Sequence, residues 1–174
     1  AKAMPLSGRL KGMAVDRVLQ EMEEGSLLKK ALGIATLNAL SLTLERFQGT
    51  PDFEVILEKD ALDAVTLEEE DFVVVVGALA PFLKRLKARG KPFRVLEMDP
   101  RTLKADEMPF YAPAEEAPRH VPEADVLVIT GTSLVNDTLE GLLSLARKDA
   151  KVIVLGPTAS QYPRAFFERG VDML

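Results

Sequence analysis

The sequence predicts an α/β protein: a Rossmann-like open parallel sheet over residues 71–174, preceded by a small helical or α+β domain over residues 1–70. Three observations carry that prediction. Phe72–Val76, Phe93–Glu97, Val126–Thr130 and Val152–Leu155 are short, continuous, β-branched runs, the pattern of strands covered by helices on both faces. Helical stripes lie between the first pair and between the last pair. The rhythm before Asp71 is different, with long helical periods and a single short alternating run.

In chain order, Val15, Val18, Leu19 and Met22 recur at helical spacing, and Gly25 ends that element. Ser26 is placed to cap a second helix reaching about Phe47. That helix is apolar nearly all round (Leu27, Leu28, Leu32, Ile34, Leu37, Leu40), which predicts burial between other elements. Gly33, Ala35 and Ala39 are small enough to admit a neighbouring backbone. After Gly49-Thr50-Pro51 comes a short alternating strand (Phe53, Val55, Leu57), then a short helix over 60–65. In the second half, Leu79, Phe82, Leu83 and Leu86 form one stripe, closed by Gly90, and Val135, Leu139, Leu142, Leu143 and Ala146 form another. Pro163 starts and Gly170 stops a final short helix. The connection over 100–123 carries prolines at 100, 109, 113, 118 and 122 and no helical period. It reads equally as a functional lid or as a surface wrap along one sheet edge.

Composition bounds the function. Hydrophobic residues make up 47% of the 174 and charged residues 28%, the balance of a soluble globular protein. No run reaches the roughly 18 uninterrupted apolar residues of a membrane span, and the first residues lack a signal pattern, so no membrane and a cytoplasmic setting are expected. A net charge of −5 disfavours nucleic acid as a partner. The cluster Lys84, Arg85, Lys87, Arg89 and Lys91 reads as a solvated helix face. With no cysteine, disulfides, thiolate metal sites and cysteine nucleophiles are excluded.

Ligands of open α/β sheets bind at the carboxyl ends of the strands, where strand order reverses. The loop after the third predicted strand offers Thr130, Gly131, Thr132, Ser133 and Asn136 at what reads as a helix start, an anion site or an ordinary cap. The nearby Asp137 weakens the anion case. The loop after the fourth offers Gly156, Thr158 and Ser160. Glu97 ends the second strand 20 residues after Gly77, where dinucleotide-binding domains place a ribose-gripping acid. The turn nevertheless reads Gly77-Ala78-Leu79-Ala80-Pro81, without the glycine that admits a pyrophosphate, so a dinucleotide is not expected. Glu97 and Asp99 read alternatively as hard oxygen ligands for a metal ion, or as solvated carboxylates. Asn38, inside the apolar helix, needs a partner, either a neighbouring backbone group or something in a cleft between the halves. His120, the single histidine, reads as an incidental loop residue; no Ser–His–Asp set can be assembled without it, and no G-x-S-x-G elbow exists.

Three stretches, Ala31-Leu32-Gly33-Ile34-Ala35-Thr36-Leu37-Asn38-Ala39-Leu40, Thr130-Gly131-Thr132-Ser133-Leu134-Val135-Asn136-Asp137-Thr138-Leu139-Glu140 and Gly156-Pro157-Thr158-Ala159-Ser160, resemble the family described as "putative heavy-metal chelation". The resemblance implies an enolase-N-terminal-like domain joined to a Rossmann-like one, with a pocket in the cleft between them. Asn38 would face it from one side and Gly77, Glu97, Thr130, Gly131, Thr132, Asn136 and Thr158 from the other. The resemblance also implies a β-rich segment ahead of Leu10-Lys11-Gly12, absent or shortened here, which leaves the completeness of the first domain open, and a continuation beyond residue 174, which leaves open any ligand contact from the far C-terminus. Soft metals want thiolate or imidazole, which this chain cannot supply by side chains alone. The expected partner is therefore a small molecule, a hard metal ion or a metal-bound small molecule. Three function classes fit: a binding protein, which the many pocket elements favour; an enzyme on a nucleoside-like or small polar substrate with Glu97 or Asp99 as acid or base; and a non-catalytic interaction module. A homodimer is compatible with the apolar second helix.

Overall fold

A computed structural model describes residues 7–23, 25–45, 53–56, 58 and 61–174. Two helices open it, α1 (Val15–Glu23) and α2 (Leu27–Glu45). They lie close because of Gly33: a Cβ at that position would sit 2.6 Å from Cβ of Met22. One side of α2 is buried through Ile34 and Ser41, but Leu27, Leu28, Leu40, Leu42 and Leu44 are exposed. The expectation of a helix buried all round is thus corrected: α2 packs chiefly on α1 and on the turn after β5. Leu27–Leu44 is long and apolar enough to cross a membrane by length and composition, although Lys29, Lys30 and Asn38 interrupt its apolar run. Its polar side chains, however, bond to protein. Lys30 pairs with Asp137, and Tyr162 N–H donates to Ser41 Oγ at 2.9 Å.

No strand forms among the described residues before Val73, so the alternating run at Phe53 is not a strand; its Leu57 lies outside the described residues, as do Gly49-Thr50-Pro51 and Phe47. The short helix predicted over 60–65 is α3 (Ala61–Ala64).

The remainder is the predicted open sheet. Strands β1 (Val73–Val76), β2 (Phe93–Glu97), β3 (Tyr111–Pro113), β4 (Val126–Thr130) and β5 (Lys151–Leu155) are all parallel, in the order β3-β2-β1-β4-β5. Four were legible as β-branched runs; β3 was not. Alternate residues point to opposite faces, and each face has its own core. Val73, Val75, Val95, Val128 and Ile153 pack beneath α4 (Ala80–Arg89) through Phe82, Leu83 and Leu86. Val74, Leu96, Leu127, Ile129 and Val154 pack with Leu139 and Leu142 of α6 (Leu139–Leu145) and Phe166 of α7 (Arg164–Phe167). Both faces are covered, which is why the strands had to be apolar on both sides.

The proline-rich connection is not structureless, and it does run along one sheet edge, where β3 pairs with β2. It holds short 3-10 turns, β3, and the one-turn helix α5 (Ala117–His120). Phe110 stacks on Phe93 with ring centroids 3.9 Å apart, and Ala112, Ala117, Val121 and Ala124 join the core. The basic cluster is likewise less solvated than expected. Arg89 donates to the carbonyls of Glu68, Glu69 and Asp71, Arg85 to that of Val65, and Lys87 pairs with Asp106 and Glu107.

Candidate ligand site at the switch point of the sheet

β1 is where the strand order reverses: β2 follows it on one side and β4 lies on the other. The crevice beyond the carboxyl ends of β1 and β4 is the general ligand position of such sheets.

The β1 turn is held from β2. Gly77 takes φ +98°, a backbone conformation that favours glycine. Its N–H donates to Leu96 O at 2.9 Å, and Leu79 N–H turns back to Gly77 O at 2.9 Å. Ala78 N–H donates to Glu97 Oε2 at 2.8 Å. The other oxygen of Glu97 accepts from Met98 N–H at 2.7 Å and Asp99 N–H at 3.0 Å. A strand-end carboxylate therefore stitches two loops together.

Beyond β4 the chain does not enter a regular helix. Gly131–Leu134 form a 3-10 turn, Asp137 takes a left-handed φ of +60°, and α6 starts only at Leu139. This corrects the expected helix start at Thr132 and removes the helix-dipole anion site built on it. Thr130 Oγ1 and Thr132 Oγ1 share a hydrogen bond at 3.1 Å, and Thr138 Oγ1 donates to Asn136 Oδ1 at 2.7 Å. Ser133 differs: it is buried, and its Oγ has no hydrogen-bond partner.

These loops enclose a cavity of about 640 Å³. Of the residues singled out in the sequence, Gly77, Glu97, Thr130, Thr132, Ser133 and Asn136 line it. Gly131, Asn38, Gly156, Thr158 and Ser160 do not. Gly131 instead lets two loops touch, since a Cβ there would lie 3.0 Å from Ala159 N. Gly156 and Ser160 face a separate groove with Leu42, Phe53 and Phe167. Asn38 Nδ2 donates to Pro157 O at 2.9 Å and Thr158 O at 3.5 Å, so α2 is fastened directly onto the loop after β5. Neither α1 nor α2 contributes to the 640 Å³ cavity, which lies within the sheet domain and not between two halves. Sequence reasoning missed most of its apolar wall: Leu79, Ala114, Pro118, Leu142 and Leu145. Proline spacing hid the wall from the 114–118 segment.

Asp99 does not join the cavity lining. Arg101 grips it with two parallel bonds, Nε to Oδ1 at 2.8 Å and Nη2 to Oδ2 at 2.7 Å. This side-chain pairing, with the Arg101 N–H, brings the Asp99 carboxyl down to about 2. His120, expected to be an incidental loop residue, is buried with Nε2 3.1 Å from Glu116 Oε2 and Nδ1 3.6 Å from Glu123 Oε2. Among the described residues no three His, Asp or Glu side chains gather as a metal-binding group.

Comparison with known proteins places this geometry among relatives. Residues 60–174 match the model of the DUF364 family, described as "Putative heavy-metal chelation", and residues 1–41 match a second model, DUF4213, with the same description. An uncharacterized protein of Methanocaldococcus jannaschii is 29% identical over 171 residues, covering 94% of this chain and 61% of that protein. The chain thus spans about three fifths of that relative's length. A DUF364-family protein of unknown function from Desulfitobacterium hafniense superposes with a TM-score of 0.69 at 22% identity, over 98% of this chain and 64% of that one. Another, from Pyrococcus horikoshii, gives 0.67 at 19% identity, over 86% and 57%. Both likenesses show the fold alone.

Proposed function

The chain belongs to the DUF364 family, "Putative heavy-metal chelation", and from that premise we propose that it binds a small organic molecule, free or carrying a metal ion, in the cavity at the carboxyl ends of β1, β2 and β4. The observation that carries this reading is Ser133. A buried hydroxyl without a partner costs about 1–3 kcal/mol, and Ser133 contributes to the wall of a cavity whose volume suits a small ligand. A ligand hydrogen bond would remove that cost.

The donor set does not fit a bare soft metal ion. There is no cysteine, the one histidine is buried between two glutamates, and the oxygens of Glu97 are taken up by backbone N–H groups. Asp99 is committed to Arg101. The Glu97 oxygens hold the backbone of two loops and those of Asp99 hold Arg101, so binding is favoured over acid–base catalysis.

The test is native mass spectrometry of protein purified without denaturation, paired with a Gly141→Trp variant. Gly141 lines the cavity, and a Cβ there meets nothing within 4 Å, so the larger side chain can enter it. An adduct of small-molecule mass that Gly141→Trp abolishes is expected. An adduct retained by a folded Gly141→Trp protein would place the ligand elsewhere.

A further inference from the structure

The cavity has a sign. Its ionised lining residues are Glu97 and Glu115, and no Lys, Arg or His lies on it. Two cations of flanking segments are paired with other carboxylates, Arg101 with Asp99 and Lys30 with Asp137. The rest of the wall is largely apolar, through Leu79, Leu96, Met98, Leu142 and Leu145.

The backbone donors of the turn after β1 are also occupied. In sheets of this kind the turn after the first strand offers its N–H groups to an anion at the following helix. Here Gly77 N–H bonds Leu96 O, Leu79 N–H bonds Gly77 O, and Ala78 N–H bonds the Glu97 carboxylate. Glu97 is an anion supplied by the protein itself, at the place an incoming phosphate would need. On the β4 side, Thr132 N–H faces Thr130 Oγ1 at 3.5 Å.

We propose that this cavity selects neutral or cationic, largely apolar organic molecules and rejects phosphorylated and other anionic ones. The proposal rests on the reading of the cavity as the ligand site. It adds the chemical class of the ligand: a ring or branched apolar body, with a polar group reaching Ser133 and, where charged, a positive group facing Glu97 or Glu115. An anion brought beside these carboxylates in a partly desolvated cavity meets like charge, and binds at least roughly tenfold more weakly than its neutral counterpart.

The experiment is an amide-resolved NMR titration of the full chain with a fragment panel balanced for formal charge. The panel includes the matched set 1-naphthylmethanol, 1-naphthylmethylamine and 1-naphthyl phosphate. Saturable shifts at Ala78, Met98 and Ser133 from neutral and cationic members, with the anionic members at least about tenfold weaker, are expected. Anionic fragments binding at those amides as tightly as neutral ones would overturn the charge selection and leave the cavity standing as a ligand site. No saturable shift there from any member would remove both. A Glu115→Lys variant supplies the converse: Glu115 is exposed on the rim, and reversing its charge should move the cation-to-anion preference toward anions at least threefold. An unchanged ratio counts against the proposal.

Discussion

Gly77 and Thr130 meet across the switch point at a distance only glycine permits: a Cβ on Gly77 would lie 2.7 Å from Thr130 Cγ2 and 3.0 Å from its Cβ. The glycine also holds φ +98°. Gly77→Ala therefore combines backbone strain with a steric overlap at the cavity floor, and should cost about 2–3 kcal/mol of stability. Urea denaturation measures it. Adding Thr130→Ser removes the clashing methyl and should recover part of the loss. Strict additivity of the two changes would show that the methyl contact is not the cause.

Ser133→Ala should separate stability from binding. Because Ser133 Oγ is buried without a partner, its removal should leave the unliganded protein as stable or up to about 1 kcal/mol more stable. The same change should weaken any molecule held in the cavity. A loss of stability above about 1 kcal/mol would mean the hydroxyl already has a protein partner.

Asn38→Ala tests the fastening of α2. The amide loses its bonds to Pro157 and Thr158, at about 1 kcal/mol. Hydrogen exchange should quicken in residues 156–162 and stay unchanged at Ala78 and Met98, since Asn38 is outside the cavity. Equal loosening at both places would tie α2 to the cavity after all.

The acid limb of stability should depend on Asp125. Phe72 N–H donates to its Oδ2 at 2.8 Å, and Arg147 to its Oδ1 at 2.8 Å, which together hold its carboxyl below the ordinary aspartate value. A carboxyl depressed in the folded state stabilises above the unfolded pKa of about 3.9 and loses that contribution as pH falls through the folded value. Asp99, at about 2, acts in the same direction from an exposed position. The urea midpoint of the native sequence should fall more steeply below pH ~4 than that of Asp125→Asn. Parallel curves would assign the acid sensitivity elsewhere.

Bare soft cations should not be chelated. Calorimetric titration of the metal-free protein with Zn²⁺, Cd²⁺ or Cu²⁺ should show no saturable binding in the low micromolar range, because the chain lacks thiolates and its imidazole is buried between Glu116 and Glu123. Stoichiometric binding lost in His120→Gln would reverse that conclusion.

Much of this architecture was legible before any coordinates. Four strands announced themselves as β-branched runs because a doubly covered parallel strand has no polar face to show. The Gly77–Glu97 spacing located the β1 turn and its acid for the same local reason. β3 was hidden: three residues ending in Pro113 carry no run to detect, and proline is tolerated there because the strand lies at the sheet edge. The misplaced start of α6 is equally physical. The polar residues over 132–138 resemble a helix cap, yet Asn136-Asp137 also suits a left-handed turn, and the tertiary fold takes that option at Asp137.

The sequence by itself determined the fold class, the strand-end position of the candidate site and the absence of thiolate chemistry, since each follows from periodicity or composition. Only the tertiary structure decided which loops share a cavity. It put the β5 loop against Asn38 and outside the cavity, brought the 114–118 segment in as a wall, and turned Glu97 inward onto Ala78, Met98 and Asp99. Those outcomes depend on contacts between residues far apart in the chain, and a one-dimensional pattern carries no record of them.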